Sequence, residues 1–170
     1  VFFGSGVNNF GVMEVLDALV DLAPSPQPRI SSVLPAKAGP QAEPVVTTVE
    51  PHDKAFSGVV FKVQANMDPS HRDRIAFVRI CSGKYTPGMK LKVQRTGKEL
   101  RPTSVVTFMS QRREAVEEAF AGDIVGFTTH GGVQLGDSIT DGSVTLQFTG
   151  LPFFAPELFQ TVILKNPLRT

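Results

Sequence analysis

The chain has 170 residues, 41% of them hydrophobic and 13 of them phenylalanine, with a formal net charge of +1. This composition is sufficient for a globular core. No apolar run reaches the roughly 18 residues that a membrane-spanning helix needs, and the first residues lack the order of a signal peptide. The single cysteine, Cys81, excludes an internal disulfide and favours a reducing compartment. We therefore expect a cytoplasmic protein without a membrane partner.

Residues 1–23 are typical of the end of an α/β domain. A short apolar strand, Val1 to Phe3, precedes a loop of small residues, and apolar residues then recur at helical spacing until Pro24 ends the pattern. These helical positions are Val12, Val15, Leu16, Leu19 and Leu22. One amphipathic helix and three strand residues cannot bury a core. We therefore expect the chain to be a piece of a longer protein.

Residues 24–55 are rich in proline and poor in large apolar side chains, which predicts an extended linker. After it, Val59, Phe61 and Val63 alternate with other residues at a period of two, which is typical of a strand with one buried face. Similar short runs, separated by turns that contain glycine, continue to about residue 150.

These patterns predict a mainly β fold, with a closed antiparallel β-barrel over residues 56–150 attached to the remnant of an α/β domain. Residues 151–170 contain a proline-rich crossing and one further strand pattern. We expect them to begin a third domain that is truncated here.

No complete catalytic or metal-binding motif is present in the sequence. The chain lacks the Gly-x-x-x-x-Gly-Lys-Ser/Thr loop that binds phosphates. The run from His71 to Asp73 matches part of a kinase catalytic loop, but Val78 stands where that loop requires asparagine. The three histidines and the cysteine lack metal-ligand spacing. We predict no catalytic residue, no metal site and no activity of this chain alone.

Basic residues are concentrated in the first half of the predicted barrel. Residues 54–113 contain 13 Lys or Arg and three acids, a net charge of +10, whereas residues 1–53 and 114–170 carry −4 and −5. A basic block on a small β module is expected of a protein whose partner has a phosphate backbone. The alternative is an ordinary solvated strand face.

Several blocks in the barrel resemble, in order and spacing, the second domain of the translational GTPases. The blocks are Gly58 to Lys62, Arg74 to Arg79, Ser82-Gly83, Pro87-Gly88, Ala121 to Val125 and Gly136-Asp137. The resemblance implies a second-domain β-barrel that follows a GTP-binding domain and precedes a third domain.

Near the N-terminus, Phe3 to Gly11 is similar to the last guanine-nucleotide motif of this family. The resemblance implies that Ser5, Gly6 and Val7 approach the guanine base. Gly6 departs from the usual alanine, a change that a contact through a backbone amide tolerates. The motifs for phosphate, magnesium and guanine specificity are not in this sequence, so the resemblance implies no cofactor in this chain and GTP or GDP with Mg²⁺ in the full-length protein.

Other blocks are similar to the members of the family that act in translation termination. They are Gln64 to Pro69, His71 to Arg74, Arg79 to Tyr85 and Phe153 to Phe159. The resemblance implies a cytoplasmic, ribosome-dependent GTPase that helps to dislodge class I release factors, with a second domain that contacts RNA and protein of the small ribosomal subunit.

The basic block suggests the same partner, because Lys and Arg gain affinity for a phosphate backbone by releasing counterions. By their location in turns and on the polar strand face, six residues are predicted to contact RNA: Arg72, Arg74, Lys84, Lys90, Lys92 and Arg95. The alternative is a structural adaptor barrel that transmits the nucleotide state between domains without direct RNA contact.

Overall fold

The computed structural model describes residues 1–33, 44–65, 74–102, 104–109, 112–129, 132–151, 158 and 160–161. Within these residues the chain is mainly β and contains one helix, α1 (Val12–Leu22). The strands are β1 (Arg29–Val33), β2 (Val45–Val49), β3 (Ser57–Ala65), β4 (Arg74–Ser82), β5 (Lys84–Tyr85), β6 (Leu91–Val93), β7 (Glu99–Leu100), β8 (Val105–Met109), β9 (Arg112–Ala115), β10 (Ala119–Phe120), β11 (Ile124–Thr129), β12 (Ser138–Thr140) and β13 (Gln147–Phe148).

Eight strands form one curled antiparallel sheet in the order β7-β6-β12-β3-β4-β11-β8-β9. The long central strands β3 and β4 pair with a register shift between Val60 and Lys62. Such a bulge bends the strand and increases its twist, which favours curling of the sheet. Among the described residues the end strands β7 and β9 do not pair with each other, so closure of the barrel by hydrogen bonds is not confirmed and stays a prediction.

The core lies inside the curl of this sheet. Val60, Val78 and Ile139, from three neighbouring strands, have no exposed surface. The ring of Tyr85 packs against Phe56 and Phe127, with ring centroids 6.3 and 5.6 Å apart. Neighbouring strands therefore present apolar faces to one contiguous core. On β3 the expected buried face is wrong, because Val60 is buried and Phe61 and Val63 are each 36% exposed.

The residues predicted to form an extended linker include two strands instead of a spacer alone. Strand β1 pairs with β2 over five residues and with β13 on its other side. Pro28 and Pro44 lie directly before β1 and β2, where a missing amide interrupts no ladder, and β2 consists of Val and Thr, which favour β structure. The amide of Phe148 donates to Ser138 Oγ of β12 at 2.8 Å, which ties this small sheet to the large one. The domain boundaries themselves stay predictions.

The N-terminal unit contains the predicted helix, but its apolar face is not covered. Leu16 and Leu19 are 49% and 62% exposed. The helix begins after Gly11, whose φ of 72° is left-handed. A side chain at Gly11 would collide with the carbonyl oxygen of Phe3, so glycine is required at this approach. Among the described residues no helix has the length and apolar character needed to cross a membrane.

Candidate nucleic-acid interface

The six basic residues predicted to contact RNA do not form one uniform patch. Arg72 lies outside the described residues, as does most of the predicted third-domain segment, 151–170. Lys84 and Arg95 form ion pairs with carboxylates of the barrel. Arg74, Lys90 and Lys92 are exposed and form no ion pair among the described residues.

Arg95 is held by a buried carboxylate. Its Nε donates to Asp137 Oδ1 at 2.6 Å and its Nη2 to Asp137 Oδ2 at 3.0 Å. The Asp137 side chain is only 2% exposed and also accepts a hydrogen bond from the Gln134 amide at 2.8 Å. The hydrogen bond to Asp137 raises the pKa of Arg95. The pair ties the turn after β6 to the turn before β12, so the charge of Arg95 is used inside the barrel.

Lys84 forms an ion pair that is more exposed to solvent than that of Arg95. Strands β5 and β10 pair Lys84 with Phe120, whose ring centroid lies 5.3 Å from Lys84 Nζ. The same Nζ is 2.6 Å from Glu118 Oε1, and the two side chains of this pair are 41% and 53% exposed. Because exposed ion pairs contribute little stability, Lys84 can exchange Glu118 for a phosphate at small cost.

Lys90, directly before strand β6, and Lys92 within it face solvent because the alternate residues of this segment lie in the core. Leu91 and Val93 are 1% and 3% exposed, whereas Lys90 and Lys92 point outward. Lys92 pairs across the ladder with Glu99 of β7. The period of two thus places both lysines on the solvent side of a strand that the core holds in position.

Glu99 of β7 lies among these cations. Arg101 Nε donates to Glu99 Oε1 at 2.7 Å, and this hydrogen bond, assisted by the charge of Lys90, lowers the pKa of Glu99. We call Lys90, Lys92, Glu99 and Arg101 the β6–β7 surface. Its two lysines and Glu99 line a groove of about 310 Å³ together with a second acid, Asp141. Counted with Asp141, three cations face two acids, so the surface keeps a small excess of positive charge that favours a phosphate backbone.

Sequence reasoning missed the partner of Arg95. Gly136-Asp137 was recognised as a turn and as part of the family resemblance, but Asp137 lies 42 positions from Arg95. No local spacing rule connects residues so far apart. The signal that could have found the pair is an acid in a glycine turn beside a buried strand, where a carboxylate needs hydrogen-bond donors.

The predicted guanine-binding loop is a tight turn. Ser5 and Phe10 exchange backbone hydrogen bonds of 2.8 and 3.1 Å. A Cβ added to Gly6 would meet nothing within 4 Å, so the alanine usual in the family also fits here. Among the described residues the amides of Gly6 and Val7 have no hydrogen-bond partner. The loop therefore offers two free donors, while its contact with guanine stays a prediction.

The described residues contain no cluster of three or more His, Cys, Asp or Glu side chains that could hold a metal ion. Cys81 is buried, and this burial raises the pKa of its thiol to about 11 against the opposing charges of Arg29 and Arg79. Because the thiolate is the nucleophilic form, this cysteine is inert at neutral pH.

Comparison with known proteins identifies relatives over the whole chain. Residues 55–142 match the family model of elongation factor G domain 2. The full chain aligns with peptide chain release factor 3 of Bordetella pertussis at 60% identity, of Bordetella petrii at 59% and of Nitrosomonas europaea at 58%. In each case the chain is covered completely but spans 29% of the length of the relative.

Proposed function

Because the chain belongs to the elongation factor G domain 2 family of translational GTPases, as its sequence resemblance predicted, we propose that its barrel docks on RNA of the small ribosomal subunit through the β6–β7 surface. The relatives named peptide chain release factor 3 support a role of the parent protein in translation termination. There, in the cytoplasm, it would promote release and recycling of class I release factors.

The observation that carries the docking proposal is the rigid display of Lys90 and Lys92. Leu91 and Val93 hold β6 in the core, so binding to a phosphate backbone requires no ordering of the main chain. Arg74, exposed at the start of β4, adds a further cation without an ion pair among the described residues. Each lysine that contacts a phosphate releases counterions, which makes the affinity depend on salt.

The GTP, GDP and Mg²⁺ of the parent protein would be bound mainly by residues that this sequence does not contain. Within the chain, Ser5, Gly6 and Val7 would border the guanine base, and the free amides of Gly6 and Val7 would donate to its carbonyl oxygen. The uncovered apolar face of α1 supports the view that residues 1–23 complete a larger GTP-binding domain. In this arrangement residues 56–150 form the barrel domain that contacts the ribosome. A closed barrel and a third domain that begins in residues 151–170 are part of the same proposal.

The docking proposal is tested with purified small ribosomal subunits. Affinity of the chain for the subunits is measured from about 50 to about 200 mM salt for the unchanged sequence and for Lys90→Gln/Lys92→Gln. We expect the double variant to bind more weakly and to lose up to about two units from the slope of log affinity against log salt, roughly 0.9 for each phosphate contact. The matched control is Lys54→Gln/Lys62→Gln, which removes the same charge elsewhere.

Binding that does not change with salt, or an equal loss in the control variant, would contradict docking through the β6–β7 surface. Arg95 stays unchanged in this experiment because its substitution would leave buried Asp137 without its cation. A loss of affinity in an Arg95 variant could therefore report misfolding instead of a lost RNA contact.

A second candidate is the adaptor barrel that transmits the nucleotide state between domains. The observation that favours it is that Arg95 and Lys84 use their charges within the barrel. The two functions are separated by placing Lys90→Gln/Lys92→Gln in the full-length protein. Unchanged ribosome-stimulated GTP hydrolysis would favour the adaptor, and reduced stimulation would favour docking.

A further inference from the structure

A second cationic site lies on the other face of the large sheet. A cavity of about 230 Å³ is lined by residues of β1 and β13 from the small sheet and of β3 and β4 from the large sheet. Its charged lining residues are Arg29 and Arg79, and its apolar walls include Val59, Phe61 and Phe148. None of these residues belongs to the β6–β7 surface, so the cavity is a separate feature.

The strand pattern of β4 explains why an arginine reaches this cavity. Val78 and Ile80 are fully buried in the core, so Arg79 between them lies on the outer face, opposite Val59 of β3. Arg29 is the first residue of β1 and lines the same cavity. The charges of both arginines act on the thiol of Cys81, another lining residue, which places the two cations near the same wall.

Neither guanidinium is neutralised by the described part of the chain. Among the described residues, Arg29 and Arg79 form no ion pair and donate no side-chain hydrogen bond. By contrast, Lys84, Arg95 and Arg101 are each paired with a carboxylate. Arg29 is exposed and Arg79 is half-buried. Two unpaired cations beside a mainly apolar cavity favour an anionic occupant, because a guanidinium forms charge-assisted hydrogen bonds with an anion.

The size and lining of the cavity favour a carboxylate-bearing side chain over a nucleotide. Pockets for small-molecule ligands usually measure about 300 to 1,000 Å³, so about 230 Å³ suits a single side chain better than a nucleotide. Val59, Phe61 and Phe148 offer an apolar surface, against which the polar edge of a base would lose hydrogen bonds. The planar fork of arginine matches the two oxygens of a carboxylate.

We propose that the cavity between Arg29 and Arg79 binds an apolar side chain together with an adjacent carboxylate, supplied by an acidic peptide segment of a protein partner. The apolar side chain packs against Phe61 and Phe148, and the carboxylate accepts hydrogen bonds from the arginines. This site is independent of RNA docking through the β6–β7 surface. Its failure would leave that proposed function unchanged.

The first test uses three small probes that share one aromatic body: 3-phenylpropionate, the uncharged 3-phenylpropanamide and phenyl phosphate. Binding to the chain is followed by NMR through the signals of Val59, Phe61 and Phe148. We expect saturable shifts with 3-phenylpropionate and a dissociation constant of about 1 mM, typical of a good contact for so small a ligand. Binding of the amide should be at least about tenfold weaker, because it lacks the charge.

Variants of the arginines then locate the carboxylate. Arg79→Gln and Arg29→Gln should each weaken binding of 3-phenylpropionate by about tenfold, whereas Lys98→Gln, a loss of charge outside the cavity, should not. Arg79→Lys keeps the charge but loses the fork, and we expect an intermediate affinity. The backbone spectrum of each variant shows whether it is folded. If Arg79→Gln does not fold, Arg79→Lys still tests the contribution of the guanidinium group.

Two peptides identify the source of the carboxylate: one ends in phenylalanine with a free carboxyl group, and the other has a blocked terminus and an internal aspartate beside phenylalanine. Preferential binding of either peptide supports the proposal and names the source. Equal binding of the amide and 3-phenylpropionate overturns it, as does the absence of saturable binding. Tighter binding of phenyl phosphate than of the carboxylate also overturns it, in favour of an occupant that carries a phosphate group.

Discussion

The barrel and the N-terminal helix both carry regular apolar patterns, yet only the barrel buries its pattern. Phe56 and Val60 have no exposed surface, whereas Leu16 and Leu19 of α1 are 49% and 62% exposed. Each barrel strand has neighbours that complete the interior, but the described residues supply no surface that covers the helix. The comparison shows that periodicity determines the type of an element, while burial requires a partner on the matching side.

The largest expected effect comes from a matched truncation in the two regions. Phe56→Ala should lower the free energy of unfolding by about 3 to 5 kcal/mol, because it removes a fully buried ring and leaves a cavity. Leu16→Ala removes a half-exposed side chain and should cost less than about 1 kcal/mol. Urea denaturation followed by circular dichroism measures both values.

A large loss in Leu16→Ala would contradict this comparison, since it would mean that the helix contributes to the core of the chain. The fluorescence of Tyr85, the single tyrosine, provides a second signal for the barrel alone. Its ring lies 6.3 Å from that of Phe56, so its signal reports unfolding at the site of the change.

The next effect concerns buried and exposed ion pairs of the barrel. Asp137→Ala should destabilise the fold by about 2 to 3 kcal/mol, because it leaves the Gln134 amide and the Arg95 fork without their common acceptor. Glu118→Ala, which breaks the exposed pair with Lys84, should cost at most about 1 kcal/mol. Thermal and urea unfolding of the two variants check the difference. Equal losses would show that burial of Asp137 does not set the strength of its pair.

The smallest effect is a dependence on pH in the barrel. Burial alone would raise the pKa of Asp141, but hydrogen bonds from the hydroxyl and amide of Ser143 and from the amide of Phe56 hold it below its usual value. The ionised carboxylate therefore stabilises the fold above the unfolded pKa of about 3.9, and this contribution is lost as the pH falls through the lower folded pKa.

Asp141→Asn should lower the free energy of unfolding at neutral pH and reduce its decline below about pH 4. Urea titrations at a series of pH values measure both effects. The matched control is Asp17→Asn on the exposed helix, which leaves the carboxylate of Asp141 in place. If the free energy of unfolding of Asp141→Asn declines below about pH 4 as steeply as that of the unchanged sequence, other groups cause the decline.

Much of the fold followed from local patterns. The helical spacing before Pro24 placed α1 at Val12–Leu22, and alternation identified the strands around the core. Strand β3 shows the limit of such reasoning. Its apolar alternation at Val59, Phe61 and Val63 suggested one buried face, yet Val60 is fully buried and Phe61 and Val63 are each 36% exposed. Val59 and Phe61 instead line the cavity on the outer face, and the bulge between Val60 and Lys62 interrupts the period of two after them, which no local signal predicts.

The predicted linker shows a second limit. The described prolines of this segment lie outside the strands, but β1 and β2 occur between them, and β1 pairs both with β2 and with β13, more than 100 positions along the chain. Pairing between such distant segments depends on the path of the whole barrel. Composition alone therefore underestimated the structure in this region.

For the candidate interface, alternation in β6 was sufficient to expect Lys90 and Lys92 on the polar face. The role of Arg95 was not accessible in this way, because its partner Asp137 is distant in sequence. The cavity between Arg29 and Arg79 depends on two sheets that meet only in the folded chain. Residues that act through their own strand are thus predictable, and residues that act through a second element are not.

The sequence by itself determined the helix, the β character of the barrel, the concentration of positive charge in the barrel and, through its motifs, the family, but not β1 and β2. These properties depend on residues close together in the chain or on order alone. Only the tertiary structure decided which apolar faces are covered, which cations are neutralised and where a cavity remains. Burial and ion pairing are energies of contact between distant segments, and they arise only when the fold brings those segments together.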